Sequence, residues 1–127
     1  MHEDKQNQSQ HDLPLILLAS DDPRLAAHLQ HALREWNLAV KLAPGYGEIE
    51  SLAAQHDKGI VLLEISRHES VEYAVELALR IKRGNKSRFV GYLADRMLHM
   101  SGLAGDAIFP RGAQQLTEAL RNHFGNI

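Results

Sequence analysis

An α/β domain, with a five-stranded parallel sheet covered by helices on both faces in a doubly wound (βα)5 arrangement, is what this 127-residue sequence predicts. Three observations carry that expectation. Short aliphatic runs without alternation, above all Gly59-Ile60-Val61-Leu62-Leu63-Glu64-Ile65-Ser66, suit strands covered on both faces. Between these runs lie segments whose apolar residues recur at helical spacing. The two kinds of segment alternate along the chain, and parallel strands need such crossovers, which are almost always right-handed.

The first run is Leu15-Ile16-Leu17-Leu18-Ala19, closing on Ser20-Asp21-Asp22-Pro23. Asp22 is placed to cap the amide groups of a following helix, and Pro23 fits the first helical turn. Leu25, His28, Leu29, Ala32, Leu33 and Trp36 then predict a helix over 23–36 buried on that face. A second strand is expected over 38–42, a turn at Pro44-Gly45-Tyr46-Gly47, and a short helix marked by Ile49, Leu52 and Ala53 that ends near His56. The third strand runs up to Glu64. Val71, Ala74, Val75, Ala78, Leu79 and Ile81 predict the inner side of a third helix that stops at Gly84. Phe89 to Leu93 reads as the fourth strand, followed by a short helix carrying Met97, Leu98 and Met100. Asp106 to Phe109 reads as a brief fifth strand broken by Pro110, and a final helix over 114–124 packs through Leu116, Ala119, Leu120 and Phe124.

Length and composition set the bounds. The chain is long enough for one ordinary core and short for two, so one domain over 14–127 is expected, behind a disordered polar leader over 1–13. With 44% hydrophobic and 24% charged residues, the composition is that of a globular protein. No apolar run approaches the ~18 residues that a spanning helix needs, and the polar leader is expected to be neither a signal nor an anchor. The formal net charge of -2 is supplied by Glu3, Asp4 and Asp12 against Lys5 in the leader, leaving 13 basic and 13 acidic residues elsewhere. A nucleic-acid binder would show a basic stripe, and none is visible. The nearest cluster, Arg80-Ile81-Lys82-Arg83 with Lys86 and Arg88, sits where cations oppose a helix macrodipole. The absence of cysteine excludes disulfides and thiolate metal sites and is compatible with a cytoplasmic location, which is the one expected.

In sheets of this kind the functional crevice lies at the carboxyl ends of the strands. That rim collects Ser20, Asp21 and Asp22, then Glu64 and Ser66, then Ala94 and Asp95, then Phe109 and Pro110. Several carboxylates at one rim suit a hard cation such as Mg2+.

In these residues the chain resembles the receiver domain of response regulators of two-component signalling, over nearly all of 13–124. The resemblance rests on the order of elements, the acids after the first strand, the acid closing the third and the proline after the fifth. It implies a flavodoxin-like sheet of order 2-1-3-4-5. It also implies a site in which paired acids hold Mg2+, an aspartate ending the third strand accepts a phosphoryl group, and a hydroxyl and a lysine bind the phosphoryl oxygens. This sequence departs at almost every such position. The acids become Ser20 and Asp21 with Asp22 following, the acceptor becomes Glu64, the hydroxyl becomes Ala94, the lysine becomes Phe109 before Pro110, and the aromatic on the fifth strand falls at Asp106. A one-step slip brings Arg111 near the lysine's place instead, but the proline favours Phe109.

The expected function is that of a degenerate pseudo-receiver that acts by protein–protein interaction or self-association through the face of the short fourth helix, the fifth strand and the final helix. It is not expected to be an enzyme, to contact nucleic acid or membrane, or to need a cofactor, with Mg2+ at Asp21 and Asp22 only if a metal binds at all. The alternative is an unconventional Mg2+-dependent phosphoacceptor that uses Glu64 or Ser66. Elsewhere, His28 and His31 have a spacing that can share a metal, but His28 is expected on the inner face among leucines. Gly45-Tyr46-Gly47 lacks the pattern of a phosphate cradle and reads as a turn.

Overall fold

The computed structural model describes residues 14–95 and 107–124. In chain order these form β1 (Ile16–Ser20), α1 (Pro23–Glu35), β2 (Val40–Leu42), α2 (Ile49–Gln55), β3 (Ile60–Glu64), α3 (Val71–Gly84), β4 (Val90–Leu93), β5 (Ala107–Phe109) and α4 (Ala113–Phe124). Single 3-10 turns, Tyr46–Glu48 and His68–Ser70, lead into α2 and α3. The expected leader, the expected short helix with Met97, Leu98 and Met100, and Asp106 all lie outside the described residues.

All strand pairs are parallel, in the order β2-β1-β3-β4-β5. That is the predicted sheet, with β3 at its centre. Because successive side chains on a strand point to opposite faces, each buried strand feeds two cores. Leu17 and Ala19, Val61 and Leu63, and Val90 and Tyr92 pack with Ile49 and Ala53 of α2 and with Ala74, Leu77, Ala78 and Ile81 of α3. Ile16 and Leu18, Ile60 and Leu62, Leu93 and Phe109 pack with Leu29 and Leu33 of α1 and with Leu116 and Leu120 of α4. This double use is why the strands read as unbroken aliphatic runs.

Three expectations about helix faces are corrected. The inner stripe of α1 is Ala26, Leu29 and Leu33, and His28, one residue round the helix from Leu29, is exposed. The inner stripe of α3 is Ala74, Leu77, Ala78 and Ile81, spaced three and four apart, which leaves Leu79 on the outside at 42% exposure and brings in Leu77. Trp36 caps α1 beyond its last turn, where Asn37 at φ 66° reverses the chain and leaves the indole exposed.

At the amino ends of the strands, Gly59 holds φ 114°, and a Cβ there would lie 2.9 Å from the Leu15 carbonyl oxygen. This close approach starts the β1–β3 ladder. Nearby, Arg88 is buried. Its guanidinium donates to the carbonyls of Gly59 (3.0 Å), Ala53 (2.8 Å) and His56 (2.6 Å). The basic cluster expected at the end of α3 thus divides: Arg80 pairs with Glu50 of α2 at 3.0 Å, and Arg88 serves the backbone.

Candidate functional site at the strand ends

Parallel register brings Ser20, Glu64 and Leu93 side by side at the carboxyl rim. Glu64 shares the parity of Ile60 and Leu62, and its side chain is 3% exposed. Its Oε2 accepts from Arg111 Nε at 3.3 Å, and Arg111 Nη1 donates to Asp95 Oδ2 at 3.1 Å. Glu64 Oε1 is buried and has no hydrogen-bond partner among the described residues. Burial pushes the Glu64 carboxyl above the usual carboxylate range. The Ser20 hydroxyl and the Arg111 guanidinium pull it down without prevailing, and the charge on Asp21 adds to the rise. A half-satisfied buried carboxylate of this kind depends on its cation, because a buried charge left alone costs more than the pair gains.

Arg111 therefore takes the place at the rim that the sequence reading favoured for Phe109. The reason is strand parity. As the last residue of β5, Phe109 turns into the core and stacks on Phe89 at 6.2 Å between centroids. Pro110 makes the corner, and the next side chain swings back over the ends of β3 and β4. Ala94 is buried and contributes its amide to the Phe109 carbonyl at 3.1 Å, with no side-chain group to offer a ligand.

The two acids after β1 have other employment. Asp21 Oδ1 accepts from the Ser66 amide (3.0 Å) and from Ser66 Oγ (2.6 Å), while Oδ2 accepts from the amides of Ser66 (3.0 Å) and Arg67 (2.8 Å). Arg67 also donates through its side chain to the Asp21 carbonyl. Burial alone would raise the Asp21 pKa, yet these donors outweigh it and hold the carboxylate below its usual range. Asp22 caps α1, accepting from the Arg24 amide at 3.0 Å, and its own amide donates to Ser20 Oγ at 2.9 Å. Ser20, counted in the acidic pocket, is thus a turn-forming hydroxyl.

The donor set does not fit Mg2+ as it stands. A hard cation needs several free oxygens facing one point. Here Asp21 is filled by three protein donors making four contacts, Asp22 faces its helix, and Glu64 holds a guanidinium. No group of three or more His, Asp or Glu side chains that could hold a metal occurs among the described residues. His28 and His31 are both exposed, and His31 lies 3.4 Å from Glu35.

Tyr46, read only as part of a turn, is a site residue. Its ring is buried, and its hydroxyl donates to the Glu64 carbonyl at 2.7 Å. Burial, with Asp21 and Glu64 nearby, raises its pKa far above the ordinary tyrosine value and keeps it a donor. Asp95 was visible as a rim acid, but nothing in the sequence showed that it would share Arg111 with Glu64.

A doubly wound five-stranded parallel sheet of this order is the receiver-like, CheY-like fold. Among solved structures, the chain is similar to a CheY-like protein, TadZ, from Pseudomonas aeruginosa, with a TM-score of 0.62 and 16% identity over 88% of this chain and 94% of that one. It is equally similar to the N-terminal domain of an uncharacterized protein from Wolinella succinogenes, with a TM-score of 0.62 and 19% identity over 85% and 91%. No family model and no curated protein matches the sequence.

Proposed function

We propose that this chain is a receiver-like signalling domain of the pseudo-receiver kind, one that works through protein–protein contact and is not phosphorylated in the usual way. The observation that carries the reading is the Arg111 bridge to Glu64 and Asp95. Phosphoryl transfer to a carboxylate is mostly positioning and charge neutralisation by a free cation, a metal and a hydroxyl donor. Here the cation already neutralises two acids, Asp21 is filled, and Ala94 has no hydroxyl. Glu64 also carries its carboxyl one methylene farther out than an aspartate would.

The contact face in this reading is the one around β5 and α4, together with the segment that precedes β5. Ile108 supports it, being 47% exposed on an edge strand. The reading places the domain in the cytoplasm, and no helix among the described residues is long and apolar enough to cross a membrane.

Incubation with acetyl phosphate and Mg2+, followed by intact-mass measurement, tests the proposal. The mass is expected to stay unchanged. A stoichiometric phosphoryl adduct that disappears in Glu64→Ala or Ser66→Ala would overturn it in favour of an unconventional phosphoacceptor.

A further inference from the structure

The outer face of α3 is open along its middle among the described residues. Opposite its buried stripe stand Glu72, Glu76, Leu79 and Arg83, all exposed, and on one flank Tyr73 meets the Tyr46 ring edge-on at 5.6 Å and Arg80 pairs with Glu50. Tyr73 and Leu79 are two of the four large apolar side chains exposed in the described protein. The charges on this helix are sorted along its axis. Glu72 and Glu76 occupy the amino-terminal half, with Glu69 in the 3-10 turn just before it, and Arg80, Lys82 and Arg83 occupy the other, with Lys86 just past the end.

Macrodipole compensation accounts for only part of this pattern, since it acts within the first and last turns. Glu76 and Arg80 lie between them. Glu72 and Glu76 are like charges four apart, an arrangement that costs a helix about 0.2–0.5 kcal/mol. Arg80 turns sideways to Glu50. Glu69, Glu72, Glu76, Arg83 and Lys86 have no ion pair among the described residues.

We propose that this face docks a second copy of the chain, α3 against α3, antiparallel about a two-fold axis near residues 77 and 78. A surface with acid at one end and base at the other is complementary to itself once inverted, as an isologous interface must be. In that register Glu72 meets Arg83 of the second copy, Glu69 meets its Lys86, and Tyr73 lies beneath its Arg83 in a cation–π contact. Leu79 lies beside its counterpart near the axis. Glu72 and Arg83 are separated by eleven residues, about 16 Å at 1.5 Å per residue, so the two equivalent pairs close both ends of the seam together. A single helix face covers less than the ~800 Å² per partner of a standard interface, so the association is weak and salt-sensitive.

Sedimentation velocity of the full chain at low and high salt, with circular dichroism on every variant, tests this. A concentration-dependent dimer is expected at low salt and is lost at high salt. Glu72→Arg and Arg83→Glu each weaken it at least tenfold. Mixing the two single variants restores it as a heterodimer, because one copy then carries only base at these positions and the other only acid. The double variant, with both signs exchanged, also regains it. A role limited to helix compensation makes the double variant the worst and gives no recovery on mixing. A wild type that stays monomeric at low salt, a dimer indifferent to the single changes, or folded single variants that do not recover when mixed would each overturn the proposal.

Discussion

At the scale of single residues, Glu64 and Asp21 pull the pH dependence of stability in opposite directions. Glu64 has a folded pKa above its ordinary value of 4.5. Between 4.5 and that raised value the folded protein holds a proton that the unfolded chain has released, so stability falls as pH rises across the window. Asp21 has a folded pKa below its ordinary value of 3.8, so its contribution is full above 3.8 and is lost as pH falls through the folded value. Urea midpoints measured from neutral pH down to about pH 4 should show the wild type gaining stability relative to Glu64→Gln as the acid window is entered. Parallel curves for the two proteins would show that Glu64 is not strained by its burial. None of this was legible beforehand. The acids could be read from the sequence, but whether each faced solvent, a metal or a protein donor depends on contacts between residues 45 to 47 positions apart.

At the scale of elements, strands were easy to read and helix faces less so. An unbroken aliphatic run has one interpretation when both faces are covered, whereas a helix with alanines around its circumference offers several stripes of similar hydrophobicity. Hence Leu77 and Leu79 exchanged roles on α3. Arg88 makes a related point, because a buried arginine before a strand looked like one more cation at a helix end. It instead ties the end of α2 and the start of β3 to the start of β4 through three carbonyls. Arg88→Met should cost about 2–4 kcal/mol in urea unfolding, since it strands buried acceptors. Arg88→Lys should recover less than half, because an ammonium cannot reproduce the planar fork. Full rescue by lysine would mean that charge alone matters there.

At the scale of the whole molecule, one sheet serves two cores that do not touch. Ile16 is fully buried on the α1–α4 side and Ile49 on the α2–α3 side. Ile16→Val and Ile49→Val should each cost about 0.5–1.5 kcal/mol and together should add to within about 0.5 kcal/mol, with one cooperative transition throughout because the strands are shared. Two separate transitions would show the layers to be independent. The parallel sheet, by contrast, was available from the succession of elements, and its strand order from the resemblance they carry. The Arg111 bridge adds a consequence of chain order. Glu64 sits on the central strand, but the only side-chain cation it contacts among the described residues arrives 47 positions later, after the edge strand β5. Without Arg111 at the rim, the middle of the sheet would hold a buried acid with no cation beside it. The rim is therefore a clasp that couples the central strand to the carboxyl-terminal part of the chain.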